Sequence, residues 1–191
     1  MRTIIKEIYG EGCGWGSGFV LIEEKSPLFG LSCEELNKAV QVHGGLRFSQ
    51  SAENLPDYYK VKRHEKGMWA VGFFYTDYRG DTKQSFTKGK VYKEAKHLRR
   101  QLRSLEKQIK VHDLKILPEY FKSVIEGEKS FEVRKNDRGF KVGDKLVLWE
   151  FNNGYTEEKC ERWVVYIMEG VDGLEPGCCV MGISEERMCN G

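Results

Sequence analysis

The chain has 191 residues, of which 40% are hydrophobic, 12% aromatic and 31% charged, with a formal net charge of +2. That length allows one or two domains, and the composition excludes a disordered or collagen-like protein. No apolar run approaches the roughly 18–20 residues of a membrane helix, and the stretch from Met1 to Gly10 is too short and too charged for a signal peptide, so a cytoplasmic protein with no membrane partner is expected.

The small total charge hides a strong asymmetry. Residues 1–85 carry 11 basic and 11 acidic side chains, residues 86–110 carry 9 and 2 (net +7), and residues 111–191 carry 11 and 16 (net −5). A basic segment between neutral and acidic flanks is either a polyanion-binding element or a solvated helix face. The six cysteines include no Cys-x-x-Cys pair and no Cys/His spacing that suits zinc. Neither a metal nor a cofactor is expected, and Cys178-Cys179 read as buried thiols.

In chain order, Thr3–Tyr9 reads as a strand. A stretch with Gly10, Gly12, Gly14, Gly16 and Gly18 follows, which lacks the ending of a phosphate loop and reads as a loop or bulged strand. Phe19–Ile22 is strand-like. Ser32-Cys-Glu-Glu35 fits a capping box opening a short helix to about Ala39. Val40–His43 and Leu46–Ser49 around Gly44-Gly45 predict a hairpin. Residues 50–67 read as an exposed loop, Trp69–Tyr75 as a strand and Tyr78–Asp81 as a turn.

Val91, Ala95, Leu98, Leu102, Leu105 and Ile109 recur at spacings of 4, 3, 4, 3 and 4, which predicts a helix with one narrow apolar seam, roughly 28 Å long. Lys93, Lys96, Arg99, Arg100, Arg103 and Lys107 lie off that seam and are the candidate nucleic-acid contacts. The seam is expected to pack on its own domain, because under three heptads is short for a coiled coil.

His112–Leu117 reads as a strand. Pro118 opens a helix over Glu119–Glu126, ended by Gly127. Strands follow at Ser130–Lys135, Lys145–Phe151, Glu161–Ile167 and Cys178–Ile183, separated by turns at Asn136–Gly143, Asn152–Tyr155 and Glu169–Gly177. The expected fold class is α+β, with an N-terminal α+β domain over 1–110 ending in the basic helix and a small, mostly antiparallel β-barrel with one early helix over 111–191.

At the helix-to-strand junction stands Gly127-Glu-Lys129-Ser-Phe-Glu132-Val-Arg134. Strand alternation puts Ser130, Glu132 and Arg134 on one face and directs Phe131 and Val133 into the core. The bland reading is a surface ion-pair ladder. The pattern Gly-x-Lys-x-x-Glu-x-Arg resembles the signature of ASCH domains of the PUA-like superfamily. His112 to Phe121, Arg134 to Arg138, Val142-Gly-Asp144, Pro176-Gly177 and Val180 to Ile183 resemble an uncharacterised branch frequent in phage and prophage proteins, over about residues 111–184. The resemblance implies a PUA-like barrel with a cleft for RNA, single-stranded DNA or a modified nucleotide. Lys129, Ser130, Glu132 and Arg134 would line it, with Lys135 and Arg138 at phosphate and Trp149 and Tyr155 as stacking rings. Some ASCH-like proteins resemble amidohydrolases with a Thr three residues after the Lys. Here that place is Glu132, so hydrolysis of a modified nucleoside or small amide, with Lys129 and Glu132 as catalytic candidates, is an alternative. A phage factor that binds a host protein is another. The N-terminal half resembles a phage-type segment through His43-Gly-Gly-Leu46, Trp69-Ala-Val-Gly-Phe73 and Gly80-Asp81, with Phe74 and Tyr78 where polar residues would stand.

Overall fold

A computed structural model describes residues 1–7, 15–74 and 87–187. The chain divides into two compact units, Met1–Gln108 and Ile109–Gly191. Both helices and sheets are present, so the chain is α+β.

In the first unit, β1 (Arg2–Glu7), β2 (Trp15–Ile22), β3 (Phe48–Ser51) and β4 (Trp69–Phe74) form an antiparallel sheet in the order β1-β2-β4-β3. Gly16 and Gly18 belong to β2, whereas Gly10, Gly12, Gly14 and Cys13 lie outside the described residues, as do Tyr78, Gly80, Asp81 and Cys189. A Cβ on Gly18 would stand 2.7 Å from the Phe73 ring and 3.0 Å from the Ala95 Cβ. The missing side chain therefore lets a helix lie close on the sheet. On the opposite face Phe19, Leu21, Ala52, Leu55, Tyr59 and Ala70 form a core cluster.

The short helix α1 (Cys33–Asn37) has the expected capping box, with Ser32 and Glu35 exchanging bonds of 3.2 and 2.8 Å. The hairpin expected at Gly44-Gly45 does not form. Both glycines adopt positive φ, 74° and 73°, in a turn, but residues 40–43 are not a strand, and β3 pairs with β4 instead. Side chains of α2 (Lys88–Gln108) do the work of a partner strand. The Gln41 N–H donates to Gln101 Oε1 and the His43 N–H to Glu94 Oε1, both at 2.8 Å. The segment 50–67 is also less exposed than expected. It holds three 3-10 turns that bury Ala52, Leu55, Tyr59 and Glu65.

The seam of α2 is buried at Val91, Ala95, Leu98, Leu102 and Leu105, and the helix packs on β1 and β2 of its own unit. Each large apolar side chain so buried contributes about 1.5–3 kcal/mol. Ile109 lies just beyond the helix end.

In the second unit, β5 (Val111–Ile116), α3 (Pro118–Ile125), β6 (Phe131–Lys135), β7 (Lys145–Phe151), β8 (Tyr155–Glu169) and β9 (Cys178–Ser184) follow in sequence. The sheet order is β5-β7-β8-β9-β6, parallel for β5 with β7 and antiparallel elsewhere, and it curls into a half-barrel. β8 is one strand of 15 residues, longer than expected, because its pairing continues to the turn at 152–154. Leu114, Ile116, Phe121, Val124, Leu146, Leu148, Val164 and Met181 are in the core cluster. Cys179 is buried and Cys178 half-buried. His112 and Asp144, both buried, join the starts of β5 and β7 through a 2.9 Å contact between His112 Nε2 and Asp144 Oδ2.

The expected alternation of β6 is reversed. Phe131 and Val133 are each 47% exposed, whereas Glu132 is 3% exposed. The register explains this: Glu132 stands opposite Met181 and Arg134 opposite Cys179, both buried, so the even positions share the core-facing side.

Candidate functional site

β5 and β6 are the two edges of the half-barrel, and an open seam runs between them. Proline at the start of α3 sets the helix direction. Gly127, at φ 78°, ends it in the left-handed region that favours glycine. The chain then turns back so that the Lys129 N–H donates to the Ser123 carbonyl at 3.0 Å. This delivers Lys129 to the start of β6.

Glu132 is buried and would be costly if unpaired. The Lys129 ammonium donates to one of its carboxylate oxygens and to the Phe131 carbonyl. Arg134 donates to the other oxygen, at 3.0 Å from Nε and 2.8 Å from Nη2. Nη2 also lies 2.7 Å from the Lys115 carbonyl, so this guanidinium spans the seam from β6 to β5. Arg138 makes a second bridge, 2.8 Å to the Asp113 carbonyl. The seam opens into a cleft of about 450 Å³ lined by Lys115, Ile116, Leu117, Tyr120, Lys129, Phe131, Glu132, Val133 and Arg134. Lys129 Nζ lies 4.9 Å from the centre of the Phe131 ring and 5.9 Å from that of Tyr120. A buried carboxylate, two cations and two aromatic rings thus meet at one opening.

The structure does not gather every residue expected there. Ser130 and Lys135 are exposed and outside the cleft lining. Trp149 and Tyr155 stand on the outer face of the sheet. Trp149 pairs in register with Lys115, alternating with buried Leu114, Leu146 and Leu148. Its indole N–H donates to Asp113 Oδ1 at 2.7 Å, and Lys159 Nζ lies 4.9 Å from its ring centre. Lys115 Nζ sits 4.1 Å from the Phe151 ring centre and 5.2 Å from that of Tyr155. The rings that face the cleft are Tyr120 and Phe131 instead. Helical spacing does not single out Tyr120: at about 100° per residue it stands roughly 40° from buried Val124 and borders the buried face of α3, yet it is 49% exposed.

Residues 111–183 match the model of a family described as a domain of unknown function. That family is DUF3850, and the segment is similar to it. An uncharacterized 12.9 kDa protein in the GpA 3' region of Escherichia phage P2 is 39% identical over 67 residues, which is 35% of this chain and 62% of that protein. The chain thus spans about three-fifths of that relative's length. The matched segment contains the whole seam cleft, from Lys115 to Arg134.

The second candidate surface is the exposed side of α2. Lys93, Lys96, Arg100, Arg103 and Lys107 are exposed and Arg99 half-exposed. At about 100° per residue, Lys96, Arg100, Arg103 and Lys107 fall within one narrow stripe opposite the buried seam. The two acids of the helix are spent on their own unit: Glu94 accepts the His43 N–H and Glu106 the Ser26 hydroxyl. None of the six cations has a carboxylate partner among the described residues. Lys93, Lys96, Arg99 and Arg100 line a shallow depression. Among the described residues no group of three or more His, Cys, Asp or Glu side chains is placed to hold a metal ion, and no helix is long and apolar enough to cross a membrane.

Proposed function

We propose that this chain binds nucleic acid, with the cationic stripe of α2 at the phosphates and the seam cleft, read as that of an ASCH-like domain, as the place for a nucleotide. The observation that carries the reading is the stripe. Six cations lie on the exposed side of one helix, Glu94 and Glu106 of that helix bond to the His43 N–H and the Ser26 hydroxyl, and among the described residues only Arg103 of the six cations shares a depression with acids, Glu106 and Glu23. A solvated helix face more often mixes its charges, and long-range attraction to a polyanion grows with such a one-sign row. RNA is the expected ligand, with single-stranded DNA as the comparison.

Amide hydrolysis has less support. Lys129 Nζ is engaged by Glu132 and by the Phe131 carbonyl, and the hydroxyl of Ser130 does not line the cleft. The test is fluorescence anisotropy with a labelled 20-nucleotide RNA at low salt, for the wild type and for the Lys96→Glu, Arg103→Glu double variant. Binding that falls at least tenfold in the variant supports the reading. Equal binding by both, or none by the wild type, removes it and leaves a protein partner to be sought.

A further inference from the structure

This inference rests on the nucleic-acid reading and narrows what the cleft accepts. The charge in the cleft is already committed. Lys129 and Arg134 both point at Glu132, and their remaining contacts go to the carbonyls of Phe131 and Lys115. An incoming phosphate would have to compete with a buried carboxylate for each of those donors. The cleft therefore differs from the α2 stripe, where the cations have no such competitor.

β6 also keeps an open backbone edge. The Ile183 N–H bonds to the Ser130 carbonyl at 2.9 Å, and the Asn136 N–H to the Gly177 carbonyl at 2.8 Å. In an antiparallel ladder those two bonds fix the parity. Residues 130, 132, 134 and 136 spend their backbone groups on β9. Residues 131, 133 and 135 turn theirs to the other side. The Phe131 carbonyl there takes Lys129, which leaves the N–H and C=O of Val133 side by side at the mouth of the cleft. A neighbouring donor and acceptor of this kind match the hydrogen-bonding edge of a nucleobase. Tyr120 and Phe131, 49% and 47% exposed, supply apolar ring surface beside it.

We infer that the seam cleft takes an uncharged nucleobase edge-on against Val133, in contact with Tyr120 and Phe131, and does not take phosphate. The volume of about 450 Å³ is in the range of small-molecule sites.

The test is calorimetric titration of the full chain with the four common nucleosides and their triphosphates at 0.5 M salt, where the contribution of the α2 stripe is screened. At least one nucleoside should bind, with its triphosphate within about threefold of it. Val133→Pro removes the N–H that faces the open edge and costs no ladder bond, so it is compatible with an edge strand. It should weaken that nucleoside by about tenfold with little change in the melting temperature, and Tyr120→Ala, an exposed helix position, should weaken it comparably. A triphosphate more than tenfold tighter than its nucleoside overturns the inference, as does a folded Val133→Pro variant with unchanged affinity. If RNA binds and no nucleoside does, the inference fails and the stripe reading stands. If neither binds, both fail.

Discussion

Glu132→Gln is the substitution whose effect the geometry constrains best. Glu132 is 3% exposed and lies between Lys129 and Arg134. Breaking a fully buried ion pair from one side costs about 3–5 kcal/mol, mostly because the other charge is stranded. Here the partners are not fully stranded. The Lys129 and Arg134 side chains retain 16% and 28% exposure and can turn toward water. Glutamine also keeps one acceptor oxygen. The expected loss is therefore about 2–3 kcal/mol. For a domain of the size of the second unit this lowers Tm by roughly 10–20 °C. Differential scanning calorimetry of the full chain reads it as a shift of one transition. A cycle with Arg134→Gln should show coupling of about 1–3 kcal/mol. A Glu132→Gln variant that melts within 3 °C of wild type, or strictly additive substitutions, would refute the claim that the ion triad holds the seam together.

Further outcomes follow from other parts of the fold. Gly18→Val places carbon into the 2.7 Å and 3.0 Å gaps to Phe73 and Ala95 and should cost at least about 1–3 kcal/mol, read by urea denaturation. Leu98→Ala, in the fully buried seam, should cost about 2–5 kcal/mol by the same assay. Burial pushes the Glu65 carboxyl up, but the Lys62 N–H and the Arg2 guanidinium outweigh it and hold it below the usual carboxylate range. Its folded pKa is thus depressed, so its stabilising contribution is present above the unfolded value of about 4.3 and is lost as pH falls through the lower folded one. Glu65→Gln should therefore flatten the stability decline below about pH 4, and an unchanged acid limb would count against it. Burial raises the Cys160 and Cys179 thiols, so iodoacetamide at pH 8 should spare both in the native chain and modify both in urea, as read by mass spectrometry.

Much of the secondary structure was legible because its signals are local. The seam of α2, the capping box at Ser32, and the Pro118-to-Gly127 frame of α3 each need only neighbours in sequence. The failures share a cause, which is partners distant in sequence. Gly44-Gly45 does make a turn, but the backbone on one side of it is satisfied by Gln101 and Glu94 of α2, which no local pattern shows. In β6, an alternation that reads as polar-out is inverted because the register with distant β9 sets Glu132 opposite buried Met181, and Lys129 and Arg134 make that burial tolerable. That inversion also moved the aromatic surface of the cleft. Trp149 and Tyr155 went to the outer face of the sheet, and Phe131, read as core, came to the opening beside Tyr120.

The salt dependence of RNA binding addresses the central claim most directly. Four to six phosphate contacts from α2 to a single strand predict a slope of log K against log salt of about −3 to −4. Replacing Arg103 by Gln should make that slope shallower by about 0.7. A wild-type slope shallower than −1, or one that Arg103→Gln leaves unchanged, would contradict the assignment of the α2 stripe to phosphates.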